Sequence, residues 1–212
     1  AAILTIVFVA TGLGVAAVES LPENVTGTLT AHNLFLTRDD VRDAARAIIR
    51  PENYCLPEPK MPHDREALIQ AALYSEKIGF GSDSAIHNWP LKIAAKPMPG
   101  SFTALTMAAS LIEVFDQHGE RDRLRDFTSG RMSRFYQVPE PNGKIMFTDN
   151  PWIVPDAYAA FGADEEFTGL YGEDAAQARA GEAVGGRMPW FVAVPFRAGE
   201  TLPWQVSGLH LV

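Results

Sequence analysis

Apolar residues run without alternation through positions 3–9, a pattern that predicts a parallel-type strand buried on both faces. Residues 11–20 suit a short helix, and residues 25–30, Val-Thr-Gly-Thr-Leu-Thr, read as a second strand running into Ala31, His32 and Asn33. Arg38-Asp39-Asp40 opens a predicted helix over 41–49 that Pro51 stops, and 53–56 reads as a third strand ended by Pro57. Residues 61–77 form an amphipathic pattern: Asp64 can cap it, and Ala67, Leu68, Ala71, Ala72 and Leu73 recur at helical spacing. Residues 78–82 give a fourth strand. A helix over 102–117 follows, with Leu105, Ala108, Ala109, Ile112 and Phe115 on one face and Gly119 as its stop, then a short helix over 121–128.

Strand and helix alternating four times predict an α/β fold with a parallel sheet across residues 1–136. Beyond that point the period changes. Residues 144–147, 152–154, 190–194 and 202–206 read as short antiparallel strands of a C-terminal β appendage spanning 137–212. Between them, residues 163–186 are acidic and rich in alanine and glycine, which predicts an exposed insertion.

Composition narrows the function classes. With 47% hydrophobic residues, the 212-residue chain can build one sizeable core. Lys+Arg 18 against Asp+Glu 26 gives a formal net charge of −8, which argues against nucleic acid or an anionic membrane surface as partner. A single cysteine, Cys55, excludes an internal disulfide or a zinc knuckle and fits a reducing compartment, cytoplasm or mitochondrion. The chain starts at Ala1 rather than Met, as expected of a processed product or a fragment. Residues 1–18 carry no charge, but they lack a basic flank, contain Gly12 and Gly14, and are β-branched early, so no membrane span is expected.

The chemistry-bearing stretch is Ile-Gly-Phe-Gly-Ser-Asp-Ser-Ala-Ile-His, positions 78–87, an apolar strand that ends in an acid and a histidine. In α/β barrels reactive groups sit where strands run out into loops, the position of Asp83 and His87. Taken alone, the same residues would also suit a helix N-cap and a surface histidine.

Five pieces in order, Thr28-Leu29-Thr30-Ala31-His32-Asn33-Leu34, Asn53-Tyr54-Cys55-Leu56-Pro57, Gly81-Ser82-Asp83-Ser84-Ala85-Ile86-His87, Arg134-Phe135-Tyr136 and Val194-Pro195-Phe196-Arg197-Ala198-Gly199-Glu200-Thr201, resemble the C-terminal half of class II dihydroorotases in the amidohydrolase superfamily. The resemblance implies the last four β/α units of a (β/α)8 TIM-type barrel. It implies a reaction interconverting carbamoyl-aspartate and dihydroorotate at two bridged zinc ions. Asp83 would hold metal and shuttle the proton, His87 would contact the substrate carboxylate, and backbone near Leu56 would hold the ring.

The departures change that expectation. Ala10 and Asn33 stand where the resemblance places histidine ligands. Alanine cannot ligate, and asparagine is a poor zinc ligand. His32 is adjacent, but alternation along a strand turns it toward the helix layer. After His87 the family's basic, cysteine-containing loop is replaced by Asn88-Trp89-Pro90-Leu91-Lys92. The expectation is therefore a catalytically degenerate dihydroorotase-like protein acting as a structural or assembly subunit, with no cofactor. The alternative is the C-terminal portion of a split dihydroorotase, with zinc, completed by another chain. Half a barrel cannot close, so a protein partner is expected to cover residues 3–9 and 78–82; it could be a larger complex, an N-terminal half chain or a second copy.

Overall fold

The computed structural model describes residues 2–162 and 166–210. A parallel sheet of order β1-β2-β3 is built from Leu4–Ile6 (β1), Val25–Leu29 (β2) and Ile78–Phe80 (β3), with Leu4 opposite Val25 and Gly27 opposite Ile78. Helix α1, Gly12–Ser20, starts where the Thr11 hydroxyl accepts a bond from the Gly14 amide at 2.9 Å. Helix α2, Pro62–Tyr74, begins with proline in its first turn and buries Leu68, Ile69, Ala71, Ala72 and Leu73. These side chains join Val9, Val18, Leu29, Leu34, Ile78, Phe115 and Phe127 in the main core.

Three parallel strands form where the sequence pattern predicts four. Residues 53–56 are not a strand: Pro51–Asn53 makes a 3-10 turn, and Tyr54 leaves it extended but without a ladder partner. The predicted helix over 41–49 is also replaced, by a tight turn. Asp43 accepts the Ala47 amide at 2.8 Å, Arg46 is left-handed, and Arg42 bridges back to Ile48. Asp turn chemistry overrides a short apolar run here. Arg42 then clamps Glu58 with bonds of 2.7 and 2.9 Å, so the long 30–61 connection is pinned rather than loose.

The strand at positions 3–9 is not buried on both faces. It is paired on one side only among the described residues, leaving Ile3, Leu4 and Val7 more than half exposed, while Val9 and Ala10 are buried. The opposite edge, β3, is packed over by the chain itself: Met132 lies against Gly79, and the segment 126–136 covers it. That segment replaces the predicted helix over 121–128 with 3-10 and π turns, Arg121–Arg123 and Asp126–Gly130, that lead into α5, Arg131–Tyr136. Between β3 and these turns lie α3, Trp89–Lys92, and the amphipathic α4, Met107–Gln117.

The appendage contains β4 (Lys144–Thr148), β5 (Trp152–Ile153), β6 (Ala157–Phe161), β7 (Glu166–Leu170), α6 (Gly172–Ala180), β8 (Pro189–Ala193), β9 (Thr201–Leu202) and β10 (Gln205–His210). β10 pairs with β4, β5 with β9, and β6 lies between β7 and β8, all antiparallel. The segment predicted as an exposed insertion is mostly exposed in its described part and carries regular structure. β7 pairs with β6 over five residues, and α6 seats Ala175 and Ala178 on the sheet. Alanine both favours helix and lets it approach the sheet closely. The predicted boundary at 136/137 is bridged by Arg197, whose guanidinium bonds Glu113 of α4 at 2.5 Å and lies 4.5 Å from the ring centroid of Phe35. None of the helices among the described residues is long and apolar enough to cross a membrane.

Arg131 is the tightest internal fastening. Its side chain is 1% exposed, and it donates to the carbonyls of Ala71 and Leu73 at the end of α2, to that of Ile78 at the start of β3, and to Asp126. Replacing it with methionine leaves the Leu73 and Ile78 carbonyls without their donor and Ala71 with the Ser75 amide alone, so Arg131→Met should lower unfolding free energy by about 3–5 kcal/mol in urea titrations. Arg131→Lys should recover part of that loss.

Candidate functional site

The strand ends and the helix N-termini meet on one side of the sheet, the side on which α/β folds carry chemistry. At the end of β1, the Val9 amide still donates to Thr28 carbonyl at 2.9 Å, and Ala10 follows, 8% exposed. At the end of β2, Thr30 leads into a 3-10 turn over His32–Leu34 rather than continuing extended. At the end of β3, Gly81 gives way to Ser82 and Asp83. Gly81 is required there: a Cβ would lie 2.7 Å from the Phe8 ring and 3.1 Å from Thr28.

Asp83 sits on left-handed backbone, φ +39°, a conformation aspartate tolerates better than most residues. Partial burial raises its carboxyl pKa above the ordinary value, and no hydrogen bond to that carboxylate is found among the described residues. His87, four residues on, is half-buried. Its Nε2 lies 3.0 Å from the Pro99 carbonyl, which can only accept, so Nε2 carries the hydrogen. Asp83 is not among the residues that line the space beside His87. The space beside His87 is about 10 Å3, lined by Glu52, Ala85, Lys92, Gly100 and Val194 among others, with room for one water at most. Leu56 is exposed, and its neighbour Cys55 is buried with its thiol pushed up to about 12 by burial, an unreactive sulfur.

His32 does not lie in an open strand face. It is 1% exposed, its Nε2 pairs with the Thr30 hydroxyl at 3.0 Å, and its Nδ1 has no partner. Burial lowers its pKa to about 4. Beside it the Asn33 amide is buried with neither its oxygen nor its nitrogen satisfied, and Thr28 Oγ1 is likewise unpaired. The groups that the end of β2 offers are thus a neutral imidazole, an amide and hydroxyls, each buried. Among the described residues no three His, Cys, Asp or Glu side chains gather as a metal site requires. This chain's donor set does not fit a binuclear zinc centre: Ala10 offers a methyl group, and Asp83 one carboxylate.

Sequence reasoning missed Lys92. Its ammonium is buried under the loop that follows α3 and donates to the carbonyls of Tyr54 at 2.9 Å, Met98 at 3.1 Å and Gly100 at 2.5 Å. Burial lowers its pKa to about 8, so it still holds its proton at neutral pH. A single lysine in a short proline-led helix gives no sequence signal for this role. A separate cleft of about 590 Å3 opens between the N-termini of α1 and α2, lined by Thr11, Leu13, Arg38, Lys60 and His63.

The sheet, its helices and the long strand-end loops define an α/β chain of the barrel-forming type. The dihydroorotase of Saccharomyces cerevisiae in complex with 5-fluoroorotic acid superposes with a TM-score of 0.73 over 99% of this chain and 52% of its own, at 24% identity. In sequence, a dihydroorotase of Teredinibacter turnerae is 34% identical over 191 residues, 90% of this chain and 46% of that protein. A probable dihydroorotase of Schizosaccharomyces pombe is 42% identical over 148 residues, 68% of this chain and 42% of that protein. No family model matches the sequence. The chain is thus similar in sequence to these dihydroorotases over 90% and 68% of its own length, and in fold to the yeast enzyme. The chain spans about half the length of the curated relatives it matches.

The buried His32 makes acid sensitivity testable. Its folded pKa of about 4 lies below the unfolded value of about 6.5, so the unfolded chain binds more protons between those limits and stability falls as pH drops through them. The full loss is roughly 3 kcal/mol. Urea midpoints at pH 7 and near pH 4 should diverge more in the unmodified chain than in His32→Leu. Equal divergence in both would show that His32 does not stay neutral in the fold.

Proposed function

We propose that this chain is a dihydroorotase-like protein, catalytically degenerate over the half it represents, that serves as a structural or assembly subunit. The observation that carries the reading is Ala10: a buried methyl at the end of β1, where the resemblance puts a metal-ligating histidine. Three further features support it. Asn33 presents an unsatisfied amide at the second such position, His87 is engaged by a backbone carbonyl of its own chain, and the cavity beside His87 is too small for a substrate. The exposed outer edge of β1, with Ile3, Leu4 and Val7, is the surface on which a protein partner would add a strand or cover the sheet.

A second reading has one observation in its favour. Asp83 carries a carboxyl with a raised pKa and no bonded partner, held at the end of β3 as a proton-transfer group would be. In that reading the chain is the C-terminal portion of a split dihydroorotase, another chain brings the metal ligands, and Asp83 moves the proton.

Metal analysis and turnover on the protein purified with whatever co-purifies separate the two. The degenerate reading expects zinc well below one equivalent and no conversion between carbamoyl-aspartate and dihydroorotate, with Asp83→Ala indistinguishable from the unmodified protein. Stoichiometric zinc together with turnover that Asp83→Ala reduces by about a hundredfold or more, the usual scale for a proton-transfer group, establishes the split enzyme instead.

A further inference from the structure

Lys92 and His87 act on the same three residues. Lys92 Nζ donates to the carbonyls of Met98 and Gly100, the residues on either side of Pro99, and the carbonyl of Pro99 itself points at His87 Nε2, 3.0 Å away. The third Lys92 bond goes to Tyr54, whose carbonyl also accepts the Gly100 amide at 2.9 Å. Met98 is tied back to Leu91 by its own amide at 3.0 Å. Pro97 and Pro99 fix two backbone angles in this turn, so few conformations compete with the one held by the lysine.

We infer that the 98–100 turn is a gate on His87 and that Lys92 is its latch: the ammonium grips both flanks of Pro99 and so presents the Pro99 carbonyl to the imidazole as an internal acceptor. An anionic ligand, a carboxylate above all, can use His87 Nε2 only by displacing that carbonyl. With three donors, the ammonium matches three carbonyls drawn from two separate loops. Removing it would leave the Met98 and Gly100 carbonyls without any other partner in the fold, a cost that opens the turn rather than the whole chain. Gly100 supplies an independent lever. A Cβ there would stand 2.7 Å from His87 Nε2 and 2.6 Å from Ala85, on backbone at φ +143°, so alanine cannot sit under the closed gate. The gate follows from geometry alone and holds for either reading of the chain's function.

The test follows the Gly100 amide by hydrogen exchange and the His87 ring by NMR in the full chain, in Lys92→Met and in Gly100→Ala, with succinate as the carboxylate probe. In the unmodified chain Gly100 should be protected and the His87 ring indifferent to succinate. Lys92→Met should raise Gly100 exchange about tenfold or more, the scale of one lost buried hydrogen bond, and make the His87 ring respond saturably to succinate. Gly100→Ala should produce the same His87 response with the lysine intact. His118, whose Nδ1 lies 2.8 Å from the Val114 carbonyl away from the gate, is the internal control and should not move. A saturable succinate response of His87 in the unmodified chain overturns the gate, a result that needs no variant. So does an unchanged His87 ring in either variant that folds.

Discussion

Main-chain carbonyls removed from water must find donors, and in this chain the requirement is met at its hardest points by buried cations. Arg131 answers it where α2 ends and β3 begins, at the closed end of the sheet. Lys92 answers it at the opposite end, where the loops from β2 and β3 cross. A parallel sheet of three short strands supplies few ladder bonds of its own. Its connections run far between strands and carry many polar groups that neither helix nor sheet absorbs. A guanidinium with five donors or an ammonium with three satisfies several such groups at once, which no apolar side chain could do.

Arg197 extends the same logic between the sheet body and the appendage, with one difference. It is paired chiefly with carboxylates, Glu113 and Glu200, and its guanidinium stacks near Phe35. A buried ion pair adds little net stability compared with an apolar contact, but once present its geometry is exacting. It fixes the closing segment on α4, where Trp204 also donates to Asp116 at 3.3 Å and Trp152 to the Trp204 carbonyl at 2.9 Å. The appendage is thereby registered on the sheet body by directional bonds, together with a small apolar cluster in which Ala109 of α4 meets Val154 and Leu202. Its main apolar cluster, around Ala157, Phe161 and Val192, is separate from the one beneath β1–β3.

What the sequence made legible follows from which signals are local. Strands 25–29 and 78–80 and helix 62–74 were readable because unbroken apolar runs and an apolar stripe at helical spacing are properties of neighbouring residues. The 41–49 turn was misread because a single Asp43 bond and a left-handed Arg46 decide it, and neither has a periodic signature. Residues 53–56 had the composition of a strand, yet the Lys92 ammonium takes the Tyr54 carbonyl and no ladder partner comes alongside. Ala10, Asn33, Asp83 and His87 could be placed at the strand ends from motif order alone. Their states could not, because the burial of Asn33 and the engagement of His87 by Pro99 depend on residues distant in sequence or on loop closure.

The unsatisfied polar groups at the strand ends cost stability. His32 Nδ1, both polar atoms of Asn33 and Thr28 Oγ1 are buried without partners, a cluster that costs stability and that selection for stability alone would replace with apolar side chains. Ala10, at the end of the neighbouring strand, is buried and has no side-chain polar atom to satisfy. His87 gives its ring hydrogen to a backbone carbonyl, which relieves the same cost. The polar requirement at these strand ends is thus met unevenly: Ala10 brings no polar side-chain atom, His87 is bonded to a loop carbonyl, and Asn33 is buried with no partner.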